Sequence, residues 1–249
     1  MDAQIKSNGD AVTSITSHHQ YKTDGLERDE LQTSPIAQFN AWFKHAIDQG
    51  VQEPEAMTVS TVDTSSGVPR PSSRVVLLKQ VDSQGFLFFS NYTSRKGREI
   101  EANPYASLAF YWRDLHRSVR VCGRVERLSQ QDSKKYYDSR PLGSRIGAWA
   151  SPQSSTISSR GELEQKVHDI ECKFGVPDAA GLDEGKSYTG PDKDIPLPDY
   201  WGGYRIVPDE IEFWCGRPNR LHDRFKYTRD ITSKLPADQD TWTIDRLAP

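Results

Sequence analysis

The sequence predicts an α+β fold that is mostly β, a barrel of short strands with helices packed outside it. Three observations carry that expectation. Short runs of alternating apolar and polar residues recur from Met57 to Leu247, bounded by clusters of Gly, Pro, Asn, Asp and Ser. Helical periodicity is confined to a few stretches between those runs. No internal repeat is visible, and 249 residues suffice to bury a full core as one domain. The expected organisation is a flexible N-terminal arm over residues 1–30 and a single domain over 31–249, with a loop insertion at 176–199 and no second core.

Taken in order, residues 1–30 are polar and aperiodic, the composition of an arm. His18 and His19 have no further His or Cys close in sequence, so no metal is expected there. Ser34 and Pro35 supply an N-cap and a first-turn proline for a helix. Its buried stripe is Ile36, Phe39, Phe43, Ala46 and Ile47, and Gly50 closes it. Met57–Asp63, Ser72–Val81 and Phe86–Ser90 read as strands, followed by a short helix over Ser94–Ala102 that stops before Pro104. Tyr105–Trp112 and Ser118–Leu128 are further strands. Helices are expected over Ser129–Asp138 and Leu142–Ala150. A third opens at a capping box, Ser159 with Glu162, and places Leu163, Val167, Ile170 and Phe174 on one face. Tyr204–Val207, Ile211–Cys215, Asp223–Arg229 and Thr241–Leu247 complete the strands.

Composition narrows the function. A formal net charge of −3 and a pI near 6.1 give no global field for nucleic acid or membrane phosphates, so neither is an expected partner. Any anion must be held by a local cluster. Three scattered cysteines without a C-x-x-C spacing point to a reducing compartment. With no apolar leader, and no run near the ~18 apolar residues of a membrane span, the expectation is a soluble cytoplasmic protein.

Local clusters supply anion chemistry. Arg220, His222 and Arg224 alternate, so an extended backbone points them one way, close to Trp214. Any one of these arginines is matched by an ordinary solvated edge strand; the whole run favours a planar, anionic ligand. Arg74-Val75-Val76-Leu77-Leu78-Lys79 reads as a buried strand with a cation at each end. Ser90-Asn91-Tyr92-Thr93-Ser94-Arg95-Lys96-Gly97 runs from a strand end into a helix start. Free N–H groups, hydroxyls and two cations converge there, as a phosphate monoester requires. Tyr136 and Arg140, four apart on an expected helix, with Ser144 beyond Pro141, form a candidate second phosphate site to which Lys79 adds charge. Taken alone, Arg140 is better read as a helix-end arginine in water, and Gln153-Ser154-Ser155 as a polar loop. Neither a Rossmann glycine fingerprint nor a P-loop is present.

These segments, in this order, resemble the pyridoxamine 5'-phosphate oxidase family. The resemblance is carried by Arg74 to Lys79, Ser94-Arg95-Lys96, Tyr136 to Pro141, Ile146 to Trp149, Gln153 to Ser155, Trp201 to Gly203, Ile211 to Trp214 and Arg220 to Arg224, and spans roughly residues 34 to 249. It implies an FMN-binding split β-barrel and a homodimer with FMN at the interface. It implies oxidation of pyridoxamine or pyridoxine 5'-phosphate to pyridoxal 5'-phosphate, with O2 reduced to hydrogen peroxide. Cofactor contacts are implied from Arg74, Val75, Val76, Leu77, Lys79, Phe89, Ser90, Arg95, Lys96, Ser118, Gln153, Ser154, Trp214 and Arg224. Substrate contacts are implied from Tyr21, Lys79, Tyr136, Arg140, Ser144, Arg220, Leu221 and His222. Arg220 and His222 are the catalytic candidates, by orienting the C4' heteroatom or by assisting its proton loss.

The chain departs from the family pattern in places. Ser118 stands where the family usually has Gln, and Ser90 where Thr is common. His18-His19-Gln20 precedes Tyr21 where an Arg is frequent, and the 176–199 loop is longer than in compact members. A rival reading is a split-barrel protein that binds a cofactor without turnover. Such a protein has no need of Tyr136, Arg140, Ser144 and the Arg220/His222 pair.

Overall fold

A computed structural model of the chain describes residues 5–8, 12–15, 20, 21, 23–181, 188 and 190–249. His18 and His19 lie outside these residues. A small hairpin pairs β1 (Ile5–Asn8) with β2 (Val12–Ile15). Then come α1 (Pro35–Asp48), β3 (Ala56–Asp63), β4 (Arg70–Leu77), β5 (Gln80–Val81), β6 (Phe86–Asn91), α2 (Arg95–Ala102), β7 (Tyr105–Trp112) and β8 (Arg117–Arg127). Three helices follow, α3 (Gln130–Asp138), α4 (Leu142–Ala150) and α5 (Arg160–Phe174), and the chain ends with β9 (Trp201–Cys215), β10 (Asp223–Thr228) and β11 (Thr243–Leu247).

The large sheet is antiparallel, in the order β11-β10-β9-β8-β7-β3-β4, and β9 is its spine. β8 takes one edge of β9. The other edge is shared, β6 pairing with residues 201–206 and β10 with residues 210–215. This division curls the sheet into a split barrel. The two strands expected at 204–207 and 211–215 are therefore one. Pro208 reads as a break, but it sits at the changeover between partners, opposite Gly123 and next to a register shift at Cys122/Gly123. A Cβ on Gly123 would lie 2.1 Å from the Val207 carbonyl oxygen, so the bulge needs glycine.

Helix α1 plugs the barrel. Ser34 caps it by accepting from the Ala37 amide. Phe39 is fully buried, 4.9 Å from the Phe86 ring and 5.1 Å from Phe110, and Trp42 meets Phe213 edge-on at 5.3 Å. Burying each such Phe contributes about 1.5–3 kcal/mol. Of the expected stripe, Ile47 is 54% exposed and Trp42 takes the inward place, because the stripe turns by the helical 100° and not by the 3–4 spacing alone. A smaller apolar cluster joins Ile146, Val167, Val176 and Ile195, packing α4 and α5 against the chain that follows them. The Ser159 hydroxyl caps α5 through the Glu162 amide, while the Glu162 carboxylate turns back to Ser158, not Ser159.

Two expectations about the strands are corrected here. The run from Ser72 to Val81 is broken after Leu77, and the apolar segment of β4 is not buried. β4 is the sheet's edge, with Val75 68% and Leu77 37% exposed. Residues 23–27 lie against the ends of β9 and β10. Thr23 Oγ1 donates to the Gly216 carbonyl at 2.6 Å, the Leu26 amide donates to Asp223, and Leu26 is buried.

Candidate active site

A cavity of about 820 Å³ opens between β4, β6, the start of α2, and the α3–α4 region. It is lined by Arg74, Val75, Val76, Leu77, Lys79, Phe89, Ser90, Arg95, Lys96, Gln153 and Ser154, together with Tyr136, Arg140 and Ser144. The candidate cofactor and substrate residues of the Arg74–Lys79 and Ser90–Gly97 segments and of the Tyr136, Arg140 and Ser144 group thus share one space.

Its floor is electrostatically unbalanced. Ser94 caps α2 through the Gly97 amide, and a Cβ on Gly97 would fall 2.0 Å from the Tyr92 carbonyl oxygen, so the helix starts as close to β6 as a backbone allows. Lys96 is buried, with Nζ donating to Ser90 Oγ (3.0 Å) and Gln153 Oε1 (2.9 Å), both neutral. Burial and the nearby Arg74 pull its pKa down to about 8 against the opposing pull of Glu99. Arg74 and Arg95 are anchored by Glu99, which also accepts from Ser72 and Thr61. Burial raises the Glu99 carboxyl, but these bonds overcome it and hold the pKa at about 2.

The opposite wall holds a cation with no ion pair among the described residues. Arg140 Nη1 is buried and has no hydrogen-bond partner among the described residues, and burial pulls the Arg140 pKa down. Its guanidinium sits 4.7 Å over the Trp201 ring, in a stack where Phe89 and Tyr136 lie 3.9 Å apart and Phe89 and Trp201 5.6 Å. The expectation that Tyr136 and Arg140 share a helix face is corrected. α3 ends at Asp138, Arg140 lies in the turn before Pro141, and Ser144 is in the first turn of α4. The kink at Pro141 still leaves all three on the cavity wall.

The remaining candidates lie elsewhere in the chain. Register places Ser118 of β8, Trp214 of β9 and Arg224 of β10 on one rung, since Ser118 pairs with Trp214 and Trp214 with Arg224. With Tyr21, Tyr111, Arg120 and Glu212 they line a second cavity of about 360 Å³, which shares no residue with the first. Ser118 Oγ donates back to the Phe110 carbonyl at 2.8 Å. Arg224 is committed, donating from Nε to Glu212 Oε1 (2.8 Å) and from Nη1 to the Ala248 carbonyl (2.9 Å).

Arg220, His222 and Arg224 do not form one extended face. Pro218–Arg220 is a single 3-10 turn with Asn219 and Arg220 at φ 56° and 63°, and β10 begins only at Asp223. Pro218 sets the turn, and two successive left-handed non-glycine residues store backbone strain of about 1–3 kcal/mol each. Arg220 and Leu221 are exposed. The Arg217 amide donates to His222 Nδ1 at 3.0 Å, so the neutral ring carries its proton on Nε2. Burial, then Arg220, lower the His222 pKa against the pull of Asp223. Tyr21 packs edge-on against both Trp214 and His222, at 5.4 Å each.

Several residues at or behind these walls were not singled out from the sequence as contacts, Glu99, Trp201, Glu212, Arg120 and Tyr111 among them. Glu99 stands four residues after Arg95, a helical ion-pair spacing that was there to be read. Trp201, Glu212 and Arg120 carry no local signal, because β-strand register alone brings them to their places. Among the described residues no cluster of His, Cys, Asp or Glu suits a metal, and no helix is long and apolar enough to cross a membrane.

The split barrel carries a cavity that collects basic and hydroxyl side chains around an aromatic stack, a chemistry suited to a phosphorylated aromatic ligand. The comparisons narrow that class. The model of the pyridoxamine 5'-phosphate oxidase family matches residues 43–173, and that of the pyridoxine 5'-phosphate oxidase C-terminal dimerisation region matches residues 201–249. The chain is 48% identical over 229 residues to the pyridoxine/pyridoxamine 5'-phosphate oxidase of Burkholderia mallei (strain SAVP1), covering 92% of this chain and 95% of that protein. The corresponding protein of Burkholderia thailandensis is 47% identical over the same shares. Among solved structures, PhzG from Burkholderia lata 383, in complex with tetrahydrophenazine-1-carboxylic acid, superposes with a TM-score of 0.74 at 28% identity, over 91% of this chain and 98% of that one. A pyridoxamine 5'-phosphate oxidase-related, FMN binding protein from Nostoc punctiforme gives 0.59 at 17% identity, over 88% and 99%, a likeness of fold. The chain belongs to the pyridoxamine 5'-phosphate oxidase family.

Proposed function

We propose that this protein is an FMN-dependent oxidase that converts pyridoxamine and pyridoxine 5'-phosphates to pyridoxal 5'-phosphate, reducing O2 to hydrogen peroxide. The observation that carries the reading is Arg140. A guanidinium whose buried Nη1 has no hydrogen-bond partner, and which makes no ion pair among the described residues, is costly unless an anion completes it. Tyr136, Ser144 and Lys79 line the same wall, which suits a substrate phosphate. Lys96, Arg95 and the N-terminus of α2 suit the phosphate of FMN at the other end of the cavity. A volume of about 820 Å³ falls in the range expected for ligands of this size.

Bound FMN supplies a two-electron acceptor that dioxygen reoxidises. The chain's part is to hold the substrate ring, exclude misplacement and manage one proton. Gripping the ester through Arg140 and Tyr136 fixes where the substrate C4' points. His222 is neutral near pH 7 and presents Nε2–H, so in this role it donates a hydrogen bond to the C4' heteroatom and does not remove its proton. Arg220, on its strained turn, supplies positive charge beside it.

One chain does not bring all the candidates together, and we propose that two do. The cavity with Arg74, Lys96 and Arg140 on one protomer is completed by the Ser118, Trp214 and Arg224 rung and the Arg220–His222 turn of its partner. The exposed Val75 and Leu77 on the β4 edge and the C-terminal dimerisation region support a homodimer of this kind. Adding pyridoxamine 5'-phosphate anaerobically to the FMN-loaded protein tests the reaction. Bleaching of the flavin band, recovered on admitting air with release of hydrogen peroxide, is the expected result. A flavin that stays oxidised, or a protein that takes up no FMN, overturns it.

A further inference from the structure

We infer that Glu212 is a positioning residue, whose buried carboxylate fixes the Arg224 guanidinium and sets the charge of the rung that faces the flavin. The inference rests on the reading that FMN meets Trp214 and Arg224. It starts from strand register. Arg120 of β8 pairs with Glu212 of β9, which pairs with Lys226 of β10, one rung away from Ser118, Trp214 and Arg224.

The Glu212 side chain is only 8% exposed and both oxygens are used. Oε1 accepts from Arg224 Nε at 2.8 Å, and Oε2 accepts from Arg120 Nη2 at 2.8 Å. Arg120 Nη2 also reaches Glu210 Oε1 at 2.7 Å. Burial pushes the Glu212 carboxyl up, but Arg224 and Arg120 overcome it and hold it below the usual range, so it is ionised throughout the working pH range. The row Arg224–Glu212–Arg120–Glu210 alternates in sign across three strands.

Geometry separates this arrangement from an ordinary surface ion pair. The bond from Glu212 to Nε and the Ala248 carbonyl on Nη1 hold the guanidinium plane by two of its edges. Nη2 makes no hydrogen bond among the described residues, and Arg224 lines the cavity with Trp214 and Ser118. A long, flexible side chain is thereby presented in one orientation with one donor edge turned to a ligand. Arg120 holds the second carboxylate oxygen, so Glu212 is shared between two guanidiniums and the row, two cations against two anions, is neutral overall.

The test is an FMN titration of apo-protein, followed by flavin fluorescence at one salt concentration, on wild type, Glu212→Ala, Arg224→Ala and the double variant. Glu212→Ala is expected to weaken FMN about tenfold. The double variant should bind within about twofold of Arg224→Ala alone, because Glu212 acts through Arg224. Losses that multiply in the double variant, or a Glu212→Ala that binds like wild type, overturn the proposal. Wild type that binds no FMN sinks the underlying reading instead. Glu212→Gln keeps the shape and removes the charge, which guards against a misfolded alanine variant. It should make the bound flavin easier to reduce, and Arg224→Ala should abolish that shift. A potential unchanged from wild type counts against Glu212 as the residue that sets the charge.

Discussion

The two cavities differ in what holds their cations. In the larger one, Arg74 and Arg95 share Glu99, but Lys96 has only neutral partners and Arg140 has an unpartnered donor among the described residues, so part of the charge is stored there at a cost. On the β8–β9–β10 face every guanidinium is already met by a carboxylate, as Arg224 and Arg120 are by Glu212. The first region suits an anion, and the second suits a neutral or delocalised ring met by donors and an indole. The difference follows from chain geometry. The first region sets the edges of β4 and β6 against helix starts and turns, where N–H groups and short polar side chains converge. The second is made of sheet rungs, where opposite charges on neighbouring strands lie within about 5 Å and pair.

The comparison is broken most severely by Arg220, which belongs to neither cavity in one chain. Arg220→Ala is expected to leave FMN bound while kcat/KM falls by about 2–4 kcal/mol equivalents, roughly 30- to 1000-fold. Steady-state kinetics on flavin-loaded protein measure this, and unchanged kinetics remove Arg220 from the site. The strain of φ 63° stays with alanine, so the variant isolates the guanidinium from the backbone.

Next in size is Arg140→Ala. Losing charged hydrogen bonds to the substrate phosphate should cost about 2.8 kcal/mol, roughly a hundredfold in kcat/KM, with the loss mostly in KM. Stability should hold or rise, because the variant deletes a buried cation that the ligand-free protein does not satisfy. Thermal unfolding together with kinetics checks both halves. A destabilised protein with an unchanged KM would make Arg140 a structural residue.

A pH titration sharpens the contrast between stored and paired charge. Lys96 has a pKa near 8 without ligand, and an FMN phosphate bound against it raises that value. The complex then holds more protons than the free protein above pH 8. FMN affinity is therefore full below about 8 and falls as pH rises through the free-protein value, by at most about tenfold per pH unit for one proton. Lys96→Met should be weaker throughout and flat over the same range. On the other face, the Glu212 carboxylate is already ionised and contributes no slope there.

How much was legible in the sequence divides along the same line. The first region could be read locally. Ser94-Arg95-Lys96 is a helix start, and Tyr136, Arg140 and Ser144 lie within nine residues of one another, so short-range rules place them. The face of β8, β9 and β10 joins positions about a hundred residues apart, and only strand register decides that Ser118, Trp214 and Arg224 align. The resemblance named those three residues; spacing alone does not. Pro208 hid the continuity of β9, since proline usually ends a strand, and the apolar β4 looked buried because a single sequence does not distinguish a core strand from an edge waiting for a partner. Alternation likewise suggested that Arg220 and His222 extend into β10, whereas Pro218 folds them into a turn.

The smallest expected effect tests the one departure that falls on the paired face. Ser118 stands where the family usually has Gln, and its hydroxyl donates to the Phe110 carbonyl instead of reaching the cavity. Ser118→Gln gives up that bond to a strand carbonyl but sends an amide into a space of about 360 Å³ alongside Trp214 and Arg224. One ordinary hydrogen bond to the flavin should then tighten FMN by about 0.5–1.5 kcal/mol. Titration of both apo-proteins at one salt concentration measures it. Weaker binding would mean that Tyr21 and Tyr111, on the same wall, already fill the room the amide needs. Unchanged binding would mean that a bridging water serves the flavin as well as an amide does. Because the second cavity is wide at this rung and Arg224 beside it is held rigidly by Glu212, the gain is the expected outcome, and Glu212→Ala should erase it by releasing the neighbouring donor.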